Sequence, residues 1–121
     1  MPALKITVRN DDGGVVLVLV GEIDMATEEQ FHQAVLHSLA EWPRQRVVLD
    51  CTRLDFIDSS GLRVLIQSYK AARERRGTLF IACVTERLAQ ILRVTGIDTR
   101  IPVFPTVESA LAAPLETPSA N

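Results

Sequence analysis

The hydrophobic pattern of the chain begins with two predicted strands. Residues 4–8 alternate apolar and polar side chains with period two, which is typical of a strand with one buried face. Residues 15–21 are almost all apolar, which is typical of a strand buried on both faces. The turn signal Asp-Asp-Gly-Gly at residues 11–14 joins the two into a predicted antiparallel hairpin. Further strands are expected at residues 46–50, 79–84 and 101–104.

Apolar residues spaced three and four positions apart predict four helices, at about residues 28–42, 60–76, 85–95 and 106–112. Asp24 or Thr27 can cap the first helix, and Pro43 ends it. Gly77 is the expected residue just beyond the second helix. Two sets of side chains should face the core: Phe31, Ala34, Val35, Ser38, Leu39 and Trp42 from the first helix, and Leu62, Leu65, Ile66 and Tyr69 from the second.

The order of these elements predicts the fold class. Strands that alternate with helices after a first hairpin favour a largely parallel sheet with right-handed crossovers. We therefore expect a single α/β domain at residues 1–112, with a mixed, mostly parallel sheet of about five strands and about four helices. Residues 51–57 are expected to form a loop anchored by Leu54 and Phe56, and residues 113–121 a flexible C-terminal tail.

The composition, with 47% hydrophobic and 23% charged residues, is ordinary for a soluble globular protein. The formal net charge is -2 and no basic stripe is visible, so nucleic acid is not an expected partner. The clearest apolar run, residues 15–20, is far shorter than the roughly 20 residues that span a membrane. The first five residues also lack the layout of a signal peptide. A cytoplasmic protein without membrane contacts is the expectation.

The two cysteines, Cys51 and Cys83, lie at the end of or within apolar runs. We interpret both as small buried hydrophobic residues in a reducing compartment, while a disulfide between them stays open. Neither has a Cys or His at the spacing of metal ligands, so no metal site is expected.

The polar cluster Asp58-Ser59-Ser60 stands where the second helix should begin. The simplest interpretation is a helix cap, because Asp and Ser oxygens accept hydrogen bonds from the first N–H groups of a helix. A second interpretation makes one of the serines a phosphoacceptor. The helix start would tolerate a phosphate, while the added charge beside Asp58 would repel a docked partner.

Two further interpretations fit the residues less well. A serine nucleophile on an elbow would need Gly-x-Ser-x-Gly, and the first glycine is absent. The two histidines, His32 and His37, lie on the first helix and do not share a face. A receiver domain phosphorylated on Asp50 would need a crossover helix after its first strand, where residues 11–14 leave room only for a turn. We therefore expect no catalytic residue.

Three motifs in order carry a resemblance to a known family. They are Gly21-Glu22-Ile23-Asp24, then Val47-Val48-Leu49-Asp50, then Phe56-Ile57-Asp58-Ser59-Ser60-Gly61-Leu62. Together they resemble a STAS domain of the anti-sigma factor antagonist type, over about residues 4–112. The resemblance implies a protein that binds an anti-sigma factor and thereby releases a sigma factor, and that is itself not an enzyme.

The resemblance also implies roles for single residues. Ser59, directly after the acidic Asp58, matches the phosphoacceptor of the family motif. Ser60 matches a neighbouring position that shapes the contact, and Asp24 matches a position near the partner surface. The expected partner-binding residues are therefore Asp24, Asp58, Ser59 and Ser60.

The implied partners are an anti-sigma factor kinase with a histidine-kinase-like ATPase fold and a PP2C-type phosphatase. Phosphorylation by the kinase would end binding, and the phosphatase would restore it. The chain itself needs no cofactor, because ATP and Mg²⁺ belong to the kinase. An alternative is an unphosphorylated STAS interaction subunit of a stress-signalling or lipid-transport complex. A weak homodimer also stays open.

Overall fold

The computed structural model describes residues 3–115, and its elements follow the expected order. The strands are β1 (Leu4–Asp11), β2 (Gly14–Ile23), β3 (Arg46–Ile57), β4 (Thr78–Ala82) and β5 (Val103–Phe104). The helices are α1 (Glu28–Glu41), α2 (Ser59–Glu74), α3 (Glu86–Val94) and α4 (Val107–Ala112), with a short 3₁₀ turn at Ile97–Thr99. Residues 116–121 of the predicted tail lie outside the described residues.

The five strands form one mixed sheet in the spatial order β1-β2-β3-β4-β5. β1 and β2 pair antiparallel around the turn between Asp11 and Gly14, and every other neighbouring pair is parallel. The predicted hairpin and α/β class are confirmed. A receiver-like crossover after β1 is excluded, because β2 follows directly as its antiparallel neighbour.

The predicted loop at residues 51–57 is wrong, because β3 continues without a break to Ile57. Its pairing with β2 skips one β3 residue between Val18 and Val20 and another between Gly21 and Glu22. Each such bulge places an extra residue in one strand and interrupts the alternation of faces. Buried side chains therefore recur at every third position, at Cys51, Leu54 and Ile57, and this pattern concealed the strand.

The expected apolar anchor Phe56 is also wrong, whereas Leu54 is buried as expected. Phe56 is 41% exposed, and Leu54 is 4% exposed. Since Ile57 is buried, its neighbour on an extended strand turns to the other side.

Hydrophobic cores lie on both faces of the sheet. The larger core lies on the face covered by α1, α2 and α3, and includes Leu17 of β2, Phe31 of α1 and Leu65 of α2. The smaller core lies under α4 and includes Val16 of β2. Neighbouring residues of β2 thus enter different cores, which confirms the strand buried on both faces.

The end of α2 differs from the expectation at Gly77. The left-handed residue after the helix is Arg76, with φ 59°. At Gly77 a Cβ would lie 2.8 Å from a methyl carbon of Leu39 on α1, so a larger residue would require that side chain to shift. The chain at Gly77, just before β4, therefore lies close to α1.

Both cysteines are free thiols, Cys51 buried and Cys83 half-buried. Burial raises the pKa of the Cys51 thiol far above its usual range, and the Asp50 carboxylate and Cys83 raise it further. Among residues 3–115, no helix is long and apolar enough to cross a membrane.

Candidate functional site

The site lies at the edge of the sheet where the parallel strands β2 and β3 end together. Their last paired residues are Ile23 and Ile57, so Asp24 and Asp58 leave the sheet side by side. The backbone N–H of Asp58 donates a hydrogen bond to the carbonyl oxygen of Ile23 at 3.2 Å. Two of the three chain segments that carried the family resemblance are therefore joined directly.

Asp58 caps α2. One carboxylate oxygen accepts a hydrogen bond from the backbone N–H of Gly61 at 2.9 Å, and the Asp58 carbonyl accepts from Leu62 N–H at 2.9 Å. This confirms the cap interpretation for Asp58. Within residues 3–115 the N–H groups of Ser59 and Ser60 have no recorded acceptor, as expected for the first residues of a helix.

The two serines differ in accessibility. Ser59 is the first residue of α2 and is exposed, while Ser60 is half-buried. The Ser59 hydroxyl has no hydrogen-bond partner recorded within the described residues, so α2 is capped without it. A reaction or a contact at Ser59 therefore leaves the capping hydrogen bond of Asp58 in place.

Gly61 explains why α2 begins so close to β2. A Cβ at this position would lie 2.5 Å from the Ile23 carbonyl oxygen and 2.5 Å from a side-chain carbon of Ile57. The glycine of the motif is thus required for packing, because any side chain would push the helix start away from the sheet edge.

The turn between β2 and α1 is held by Asp24 and Thr27 together. The Asp24 carboxylate accepts hydrogen bonds from the N–H groups of Ala26 and Thr27 at 3.0 and 3.1 Å. The Thr27 hydroxyl accepts from Asp24 N–H and donates to the Glu22 carbonyl. Thr27 occupies the capping position of α1 but makes no side-chain cap, so Asp24 orders the turn instead.

The structure brings the four predicted site residues to this edge, and their role in binding a partner stays a prediction. It adds two apolar side chains that sequence reasoning missed: Met25, 76% exposed in the turn after β2, and Phe56, 41% exposed near the end of β3. We call Asp24, Met25, Phe56, Asp58, Ser59 and Ser60 the edge surface. The adjacency of Phe56 and Ile57 could have indicated that one of them points away from the core.

A shallow pocket of about 40 Å³ continues the edge surface between β3 and α3. It is lined by Leu54, Asp55, Phe56, Ile57, Thr85, Arg87, Leu88 and Ile91. Pockets for small-molecule ligands typically enclose about 300–1,000 Å³. This one is therefore too small to enclose a typical metabolite.

Arg63 was not singled out in the sequence either, although it follows Ser59 by one helical turn. One guanidinium nitrogen lies 3.4 Å from a carboxylate oxygen of Glu28, the first residue of α1. The Arg63 side chain is 63% exposed and that of Glu28 is 28% exposed. This ion pair connects the starts of α1 and α2.

The histidines have partners other than the serines of the edge surface. The Nδ1 atom of His32 lies 3.0 Å from the hydroxyl of buried Ser68, between α1 and α2. His37 pairs with Glu41 at 2.8 Å, one turn further along α1. Within residues 3–115, no cluster of three or more His, Cys, Asp or Glu residues could hold a metal ion.

Comparison with known proteins covers nearly the whole described chain. A family model described as the STAS domain matches residues 5–110. BtrV of Bordetella bronchiseptica, named as a candidate anti-sigma factor antagonist, is 33% identical over 110 residues, which are 91% of this chain and 94% of that protein. The anti-sigma-F factor antagonist RsfA of Mycobacterium tuberculosis is 30% identical over 112 residues, with 92% and 88% covered.

A solved structure is similar over about the same part of the chain. The crystal structure of an anti-sigma factor antagonist from Mycobacterium paratuberculosis superposes with a TM-score of 0.75 at 29% sequence identity. The match covers 90% of this chain and 92% of that chain. The likeness in fold therefore extends over most of the domain.

Proposed function

The chain belongs to the STAS domain family, and from this premise we propose that it is an anti-sigma factor antagonist whose binding is switched off by phosphorylation of Ser59. The observation that carries the proposal is the position of Ser59. It is exposed on the first turn of α2, next to a carboxylate that already caps the helix. A kinase can reach its hydroxyl without unfolding the domain.

The choice of Ser59 over Ser60 rests on accessibility as well as on the family motif. Ser59 is exposed, whereas Ser60 is half-buried. A serine that enters a kinase active site must present its hydroxyl to the γ-phosphate of ATP. Ser60 instead contributes to the surface that contacts the partner next to Ser59.

Phosphate at Ser59 would change binding without changing the fold. It adds about two negative charges and three acceptor oxygens. The N–H groups at the start of α2 and the helix dipole favour an anion there, so the helix stays formed. The charge nevertheless adds to that of Asp58, and a partner that docks on the unphosphorylated edge surface is repelled.

The edge surface has the composition of a protein contact. Met25 and Phe56 offer exposed apolar area, and Asp24, Asp58 and Ser59 supply polar groups around it. The partner is an anti-sigma factor of the serine kinase class with a histidine-kinase-like ATPase fold, and a PP2C-type phosphatase reverses the modification. ATP and Mg²⁺ act in the kinase, and the chain itself catalyses no reaction.

The direct test is phosphopeptide mass spectrometry on the protein isolated from its own host, growing and stressed. Phosphate on Ser59, with an occupancy that differs between the two conditions, is the expected result. Affinity purification of the unphosphorylated protein should then recover the kinase. Absence of phosphate in both conditions would instead favour an unphosphorylated STAS interaction subunit.

A further inference from the structure

The ion pair between Arg63 and Glu28 is loose. Its 3.4 Å separation exceeds the roughly 2.7–2.9 Å of a charge-assisted hydrogen bond, and the Arg63 side chain is mostly exposed. Exposed pairs of this kind contribute little to stability. The Arg63 guanidinium is therefore available to a stronger anion within its reach.

Ser59 lies within that reach. Residues four apart on a helix are neighbours on its surface, with Cβ atoms about 5–6 Å apart. Long side chains on a helix lean toward its N-terminus, so Arg63 leans toward the turn that carries Ser59. The contact with Glu28 places the guanidinium near the starts of both α1 and α2.

We propose that Arg63 binds the phosphate of phosphorylated Ser59 and leaves Glu28 when it does so. The inference rests on the proposed function, since it concerns the same modification. A phosphate offers three oxygens and about twice the charge of a carboxylate, and two of these oxygens can accept parallel hydrogen bonds from the planar guanidinium. Arg63 would thus contact the phosphate directly and hold it in place.

The exchange would extend the effect of phosphorylation to α1. With Arg63 turned to the phosphate, the carboxylate of Glu28 loses its recorded partner at the start of α1. The phosphate then adds negative charge at the start of α2, and the Glu28 carboxylate at the start of α1 is no longer neutralised by Arg63. A partner that docks across the turn between β2 and α1 would therefore face two altered negative groups, the phosphate on Ser59 and the carboxylate of Glu28.

The test uses protein with phosphoserine installed at residue 59 during translation, so it needs neither the native kinase nor its partner. A ³¹P NMR titration measures the second pKa of the phosphate. The acidic groups around this helix start are Asp58, Asp24 at the end of β2 and Glu28 at the start of α1, and all three are unchanged in the first comparison. Arg63→Gln should raise this pKa by about 0.5 unit or more, since a neighbouring cation favours the dianion.

Arg93→Gln is the matched control, because it removes the same charge from an exposed position in the last turn of α3. Its phosphate pKa should equal that of the unsubstituted phosphoprotein. An equal pKa for Arg63→Gln and Arg93→Gln would overturn the proposal. Absence of phosphate in the host would count against the proposed function only, and this titration would still decide the role of Arg63.

Glu28→Gln tests the exchange separately. Without its carboxylate competitor, Arg63 should bind the phosphate more fully, and the pKa should fall below that of the unsubstituted phosphoprotein. This fall should shrink strongly in the Glu28→Gln, Arg63→Gln double variant, since it depends on Arg63. A fall of the same size in both backgrounds would refute the exchange.

Discussion

Gly61 lies against the carbonyl oxygen of Ile23, so closely that a Cβ on residue 61 would come within 2.5 Å of that oxygen. The contact joins the first turn of α2 to the end of β2. It therefore ties the segment with Ser59 to the segment with Asp24, and the geometry of the edge surface depends on it.

Gly61→Ala should destabilise the domain despite the better helix propensity of alanine. In an open helical position the change would add about 1 kcal/mol of stability. Here the new methyl group overpacks the contact with Ile23 and Ile57, which typically costs about 1–3 kcal/mol. Urea denaturation measures the difference, with Ser60→Ala in the same turn as control. A variant as stable as the unsubstituted protein would show that the helix start can move freely.

Asp58→Ala should cost about 1 kcal/mol of unfolding free energy, because it removes the acceptor for Gly61 N–H. Asp58→Asn keeps a capping oxygen and loses the charge, so its stability should stay close to that of the unsubstituted protein. The pair separates capping from charge in denaturation experiments. Equal losses in both variants would indicate that the charge of Asp58, rather than its hydrogen bond, stabilises α2.

Ser59→Asp should weaken binding to the anti-sigma factor by about 2 kcal/mol or more, roughly thirtyfold in Kd. Ser59→Asn, which has nearly the same shape and no charge, is the matched control and should bind far better than Ser59→Asp. Ser59→Ala should bind and stay bound when kinase and ATP are present. Isothermal titration calorimetry gives the affinities. Equal affinities of the Asp and Asn variants would contradict the electrostatic account.

Met25→Ala and Phe56→Ala should each weaken partner binding by about 1–2 kcal/mol, because both side chains offer exposed apolar area on the edge surface. The unfolding free energy should change by less than about 0.5 kcal/mol for Met25→Ala, whose side chain is 76% exposed, and by more for Phe56→Ala, whose side chain is only 41% exposed. Val94→Ala is the control, as Val94 is 78% exposed at the far end of α3. A similar loss of affinity for Val94→Ala would move the contact away from the edge surface.

Short sequence patterns were sufficient to predict the order of the helices and strands and where several of them begin or end. The turn at residues 11–14 predicted the hairpin, and the apolar spacing predicted a last helix at about residues 106–112. The structure confirms both, and Thr106 forms a reciprocal pair of capping hydrogen bonds with Ser109. Such features depend on a few consecutive residues, so the sequence alone contains the information.

Features that depend on pairing between distant segments were missed. The bulges of β3 arise from its register with β2, and they replaced the period of two with the spacing of Cys51, Leu54 and Ile57. Gly77 was interpreted as a helix end, whereas the contact that limits the size of this residue is made by the distant side chain of Leu39. The family motif placed Ser59 correctly at a helix start. The exposed apolar side chains around it, Met25 and Phe56, were identified only from the structure.

The two thiols should differ in reactivity with a thiol reagent such as Ellman's reagent. Cys51 is 3% exposed, and burial raises the pKa of its thiol, so the reactive thiolate is scarce at neutral and mildly alkaline pH. Cys83 is half-buried and should react first in the folded protein. Denaturant should expose Cys51 and bring the count to two thiols for each chain. Cys83→Ser is the informative variant, because its native form should then react only on unfolding. Rapid reaction of native Cys83→Ser would mean that β3 opens readily around Cys51.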